Sequence, residues 1–222
     1  METCLDLDAL TNDDEFSLAI SAFSKDIFHL GLFCKKDEDR CIIHLMDHMD
    51  LRRSSSFQHY KYLKLSSIDD EEAIHLVAAA EATYNSNKCG IPFGPCGGGS
   101  LDEANSFVGE GGDGLTCSLF VLAFLEQQGI NLIDKDTWPI REQDTAMQLE
   151  LIGNLKIEHC RLPEDIELFE IQEARARAGV PRYRPEEVGA SALIEQIPVA
   201  FQDIQERSAQ IAQYLVGINE SH

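Results

Sequence analysis

The stretch Asp113-Gly114-Leu115-Thr116-Cys117-Ser118-Leu119-Phe120-Val121 restricts the fold more than any other part of the chain. It sets a cysteine between a glycine-rich loop and an apolar run, Ser118 to Leu125, that predicts a buried helix around which the rest must pack. A thiol in the first turn of a helix meets the positive end of the helix dipole. That field favours the thiolate, which is the nucleophilic form. Backbone N–H groups at the same terminus have no intrahelical acceptor and can hold a developing oxyanion. On the helix, Cys117 shares a face with Phe120, Val121 and Phe124, a spacing that equally suits a core cysteine. Its place directly after Gly111-Gly112-Asp113-Gly114 argues for a sulfur that faces a cleft while the helix packs behind it.

The preceding third of the chain supplies histidines. Phe28-His29-Leu30-Gly31-Leu32-Phe33 and Cys41-Ile42-Ile43-His44-Leu45 read as two strands of a hairpin, joined by the charged turn Lys35 to Arg40. Imidazole titrates near neutrality, so His29 can take a thiol proton and return it to a leaving group. His44, across the hairpin, is placed to accept the second N–H of His29 and fix its tautomer. Gly31 lies on the same strand face as His29, where a missing side chain lets a helix or a substrate backbone approach.

Further strands are expected over Phe16–Phe23 and Tyr60–Leu65. The pattern then changes period, predicting a helix over Asp69–Tyr84 with acids at its start. Cys89 to Gly114 holds nine glycines and two prolines, a long loop that reads as a lid over Cys117 or a linker. Leu115–Gln128 is the central helix, closed by Gly129. Arg141–Leu155, Pro163–Ala178 and Pro185–Val216 are the remaining helical segments. Sequential strands followed by helices indicate an α+β fold. The expected organisation is an acidic lead-in over 1–15, a catalytic domain over 16–155 and a helical C-terminal extension over 156–222.

These residues carry a resemblance. His29-Leu30-Gly31-Leu32-Phe33 followed by Ile42-Ile43-His44 resembles the histidine hairpin of the NlpC/P60 superfamily of papain-like thiol enzymes. Leu115-Thr116-Cys117-Ser118-Leu119-Phe120-Val121 is similar to the nucleophile helix of that superfamily. The order His, His, Cys resembles its circularly permuted branch, which includes lecithin retinol acyltransferase-like proteins. The resemblance covers roughly residues 16–130. It implies a papain-like antiparallel sheet packed on the cysteine-bearing helix, with Cys117 as nucleophile, His29 as base and His44 as orienting residue. The implied activity is cysteine-dependent hydrolysis or acyl transfer at an amide or ester bond through a thioester, on a peptide, amide or acyl substrate. The other reading is a non-catalytic interaction protein of the same fold, binding a partner through its acidic surface and helical tail.

Composition sets the remaining bounds. A net charge of −21 opposes nucleic-acid binding, which needs clustered Lys and Arg; Arg52-Arg53 is too small a cluster to reverse it. No run of about 18 apolar residues is present, so no membrane span is expected. The first 15 residues hold six acids and no Lys or Arg, the opposite of a secretory leader. A cytoplasmic location is the expectation, with export by a signal-less route as the exception. Seven cysteines at irregular spacing do not form a disulfide framework. No cofactor and no metal are expected: His44 and His48 are four apart but on a strand, and Asp47, His48 and Asp50 read as solvated. Cys89 and Cys96 lack a second pair for zinc, and Gly94 to Ser100 lacks the Gly-Lys-Ser/Thr ending of a phosphate loop. Arg182-Tyr183-Arg184 reads as a surface contact. The apolar stripe Ile197, Phe201, Ile204, Ile211, Leu215 faces the core or, alternatively, a partner or second copy.

Overall fold

The computed structural model describes residues 15–25 and 27–219; apart from Glu15, the acidic lead-in lies outside them. Strands β1 (Phe16–Ser24), β2 (Ile27–Lys36), β3 (Asp39–Asp47), β4 (Asp50–Ser54) and β5 (Lys61–Leu63) come first. They form one antiparallel sheet in the order β4-β3-β2-β1-β5. Helix α1 (Asp70–Ser86), the short hairpin β6 (Ser100–Leu101) and β7 (Phe107–Val108), and helix α2 (Cys117–Gln127) follow. Helices α3 (Glu142–His159), α4 (Pro163–Ala178), α5 (Pro185–Ala192) and α6 (Phe201–Asn219) complete the chain. The fold is α+β, with one five-stranded antiparallel sheet and six helices among the described residues.

Alternation along the strands divides the sheet into two unequal faces. Leu18, Ile20, Leu30, Leu32, Ile43, Leu45 and Leu63 point to the main core and meet Phe120, Val121 and Phe124 of α2. The apolar face of α2 is thus buried against β2 and β3, as its composition demands. The other face carries a smaller cluster, Ala19, Phe33 and Ile42 under Phe57, Tyr60 and Tyr62. His29, Gly31 and His44 belong to this second face by the same alternation.

The helical C-terminal third is not one structural unit. Val188, Ala190 and Ala192 of α5 and Ile204, Ile211 and Leu215 of α6 complete the sheet's own core. The expected boundary at 155/156 falls inside α3. Helices α3 and α4 pack on each other around Ile152, Leu155, Phe169 and Ala176, with Cys96 of the glycine-rich segment between them. The continuous helix expected over 185–216 is broken at Leu193–Ala200. Pro198 has no N–H to offer a helix, and Val199 instead donates to the Leu132 carbonyl at 3.0 Å. None of the described helices is long and apolar enough to cross a membrane, and each described cysteine is free.

The segment 89–114 is packed rather than hinged. Leu115 N–H donates to Pro92 O at 2.9 Å, Gly94 N–H to Leu115 O at 3.0 Å and Gly114 N–H to Gly98 O at 3.1 Å. A Cβ on Gly97 would collide with the Gly114 carbonyl, and one on Gly94 with the Gln172 side chain and Gly114. Here glycine lets two backbone runs lie against each other at the start of α2.

Candidate active site

Thr116 caps α2: its side chain accepts the Leu119 N–H at 3.2 Å. Cys117 is therefore the first helical residue, and its own N–H belongs to the terminal set left without an intrahelical acceptor. Register explains why the sulfur reaches the sheet. Pairing of β2 with β3 runs from Lys36↔Asp39 to Leu32↔Ile43 and stops there. In that opening the Leu30 amide interacts with the Cys117 sulfur.

His29 and His44 meet directly, Nε2 to Nδ1 at 2.7 Å, with His29 4% and His44 5% exposed. The Tyr60 hydroxyl lies 3.4 Å from the same His44 nitrogen, and the Phe23 ring stacks on His29 at 5.3 Å. Gly31 makes this contact possible in a way the sequence did not suggest. A Cβ there would stand 2.9 Å from His44 Cβ and from Ile42 Cγ2, so the space it leaves is filled by the neighbouring strand and not by a helix or ligand. A proton on His29 Nε2 donated to His44 Nδ1 leaves His29 Nδ1 as the free lone pair. His44 Nε2, buried, then carries a proton with no partner among the described residues.

Cys117 and His29 line one cleft of about 210 Å³. No hydrogen bond joins the sulfur to either histidine among the described residues. The electrostatics also depart from the expected ready thiolate. Burial pushes the Cys117 thiol up, opposed by the Leu30 and Ser118 amides, the Ser118 hydroxyl and the Arg182 charge. Burial, His44 and Arg52 bring His29 down to about 3; burial and Arg52 bring His44 down to about 4, against the pull of Asp50. At neutral pH both rings are neutral, and the helix dipole does not outweigh desolvation at the sulfur.

Three groups near the cleft were not anticipated. Gln148, 1% exposed, donates to Pro95 O at 3.1 Å, while its Oε1 is buried without a partner among the described residues. Arg182 and Tyr183 line the cleft, and the Tyr183 ring packs at a tilt of 44° on Trp138, centroids 5.9 Å apart. They lie 21, 55 and 56 residues beyond the end of α2 at Gln127, so no local spacing connected them to Cys117; only the apolar period of α3 hinted that this helix faces inward.

A separate cluster lies where β3 ends against α3. His159 Nε2 is 3.3 Å from Asp47 Oδ2 and 3.9 Å from Glu158 Oε2, and the ligating atoms of these three residues fall within 4.8 Å of one another. They are the described residues able to share a cation. His48, expected to be solvated, is instead largely buried: its Nδ1 accepts the Phe93 N–H at 3.2 Å and its Nε2 lies 3.7 Å from Asp165. No family model, curated protein or solved structure matches this chain.

Proposed function

We propose that the protein is a cysteine-dependent hydrolase or acyltransferase of permuted papain-like architecture, acting on an amide or ester through a thioester. The observation that carries this reading is the shared cleft. Cys117 opens a buried helix there and shares the cleft lining with a histidine whose Nε2 is already engaged by a second histidine.

In the reaction, His29 Nδ1 takes the thiol proton as the sulfur attacks the carbonyl carbon. The C=O π pair moves to oxygen, and the Cys117 N–H at the start of α2 stabilises that oxyanion. Collapse breaks the bond to the leaving group, which takes the proton from the His29 imidazolium. Water or an acyl acceptor, deprotonated by His29, then attacks the thioester and releases the sulfur. His44 holds the His29 ring through the Nε2 hydrogen bond and so acts as a positioning residue. Both rings start neutral, so His29 has a lone pair open to a proton.

p-Nitrophenyl acetate tests the chemistry without a known substrate. Wild type should release a stoichiometric burst of p-nitrophenolate and carry the acetyl group on Cys117, read by peptide mass spectrometry. Cys117→Ala should abolish the burst, and His29→Ala should slow it by about 10²–10⁴-fold. Acetylation of Cys117 no faster than of exposed Cys89 would refute the proposal. The competing reading, a non-catalytic interaction protein on this fold, draws on one observation: a raised thiol with no hydrogen bond to His29.

A further inference from the structure

The Cys117 cleft is walled by apolar side chains, among them Phe28, Met46, Phe93, Leu119, Met147 and Leu151. Among the described side chains lining it, only Arg182 carries a permanent charge. A cation held on an apolar wall by one long ion pair to Asp144 needs a reason.

The surroundings hold Arg182 in place without satisfying it. Arg141 Nη2 donates to the Arg182 carbonyl at 3.2 Å. Among the described residues the guanidinium has one partner, Asp144 Oδ1, at 3.4 Å from Nη1. Asp144 is claimed more strongly by others, Arg184 at 2.8 Å and Arg141 at 2.5 Å. Arg141 and Arg184 also neighbour Glu187, at 2.5 Å and 4.0 Å. Three guanidiniums therefore face two carboxylates, Asp144 and Glu187, and Arg182 has the longest bond to Asp144. A guanidinium has five donors in a planar fork suited to a carboxylate, and here most of that fork is unused. Arg182 also lines a wider groove of about 680 Å³ that Lys25, Asp144 and Arg184 border. Glu186 borders the same groove, its carboxyl raised by burial and pulled the other way by Arg184 and Arg182. Gln148 adds a second sign that the cleft is built for a polar ligand: its buried Oε1 has no donor among the described residues, which calls for one from outside.

We infer that Arg182 is an anion-recognising specificity residue of the thiol cleft, and that the substrate joins an apolar group to a carboxylate near the bond attacked. The inference rests on Cys117 being the reactive centre. The fork of Arg182 takes the carboxylate bidentately, the apolar wall takes the hydrophobic part, and the free Gln148 Oε1 accepts a substrate N–H.

Two alkylating reagents of nearly equal size separate this claim from the thiol chemistry itself. Iodoacetate carries a carboxylate and iodoacetamide does not. Their rates at Cys117 and at exposed Cys89 are read in the same sample by peptide mass spectrometry. At Cys89 the protein's negative field disfavours iodoacetate. At Cys117 the iodoacetate-to-iodoacetamide ratio should exceed that at Cys89 by on the order of tenfold, the size of one charge-assisted hydrogen bond. Arg182→Gln should bring it down to the Cys89 value. Arg184→Gln disturbs the same Asp144 network without touching the thiol cleft and should leave the ratio high. An equal ratio at both cysteines, or a high one that survives Arg182→Gln, overturns the inference. So does a fall of the same size in both arginine variants, which would make the effect one of folding. His29-dependent labelling by iodoacetamide with no preference for iodoacetate would overturn this inference and leave the thiol reading standing. Inertness of Cys117 to both reagents would overturn the two together.

Discussion

The molecule holds two histidine pairs of nearly the same spacing and opposite surroundings. The rings of His29 and His44 are 5.0 Å apart, and those of His48 and His159 are 5.3 Å apart. The first pair is bonded to itself and to Tyr60, with no carboxylate in direct contact among the described residues. The second is ringed by Asp47, Glu158 and Asp165. Without a carboxylate, burial wins, and His29 and His44 are held neutral well into acid. His48 is also lowered by burial and by His159, yet Asp165 and Asp47 pull against that. One residue type thus yields a neutral, mutually bonded pair in the sheet and, at the sheet's end, a polar clip between β3 and the α3–α4 pair.

Removing one histidine from each pair should give the largest contrast. His29→Ala should slow acetylation of Cys117 by about 10²–10⁴-fold. His159→Ala, on a partly exposed ring away from the cleft, should change that rate by no more than about twofold. Equal losses in the two variants would end the functional distinction between the pairs.

Acid stability is the next test. In the unfolded chain both histidines titrate near 6.5; in the folded protein His29 and His44 do so at about 3 and about 4. As pH falls from 6.5 towards 4, the unfolded state binds protons that the folded state refuses, so stability falls with it. The slope is about 1.4 kcal/mol per pH unit for each histidine. His29→Gln should flatten this acid limb in urea unfolding between neutral pH and the low-pH end of that window. An unchanged slope would mean that the buried pair is protonated when folded.

How much of this could be read beforehand follows from where the information lies along the chain. The β2–β3 hairpin and α2 were legible because alternation and a continuous apolar run are local signals, and so were Cys117, His29 and His44 as candidates. Strand β4 was not, since Asp50-Leu51-Arg52-Arg53-Ser54 has no apolar face. Its edge position is supported by charge, with Arg53 bonded to Asp39 at 2.5 Å and to Glu81 at 2.9 Å. Arg182-Tyr183-Arg184 looked like surface because its acid partner, Asp144, is about 40 residues away and buried. The thiol's resting state was misjudged for a related reason. The helix dipole can be inferred from sequence, whereas desolvation depends on how completely distant segments close over the sulfur.

Gly31 offers a sharper test of the first pair than deleting a ring. Its Cβ would meet His44 Cβ and Ile42 Cγ2 at 2.9 Å and the Ile43 carbonyl at 3.2 Å. Gly31→Ala should therefore cost about 1–3 kcal/mol by overpacking. It should also slow Cys117 acetylation by on the order of tenfold or more, because His44 no longer holds His29 in line. Loss of stability with an unchanged acetylation rate would show that His44 does not position His29.

The smallest effect belongs to the second pair, and its size matters to the comparison. His159 and Asp47 lie 3.3 Å apart with side chains 26% and 41% exposed, so water screens their attraction. A double-mutant cycle of His159→Ala and Asp47→Ala should give a coupling below about 1 kcal/mol. It should shrink further in about 1 M salt, where the screening length is about 3 Å. A larger, salt-insensitive coupling would mean that this clip is as insulated from solvent as the His29–His44 bond. The contrast between the pairs would then rest on the carboxylates alone, and placing Asp opposite His29, for example by His44→Asp, should convert the first pair's electrostatics into the second's.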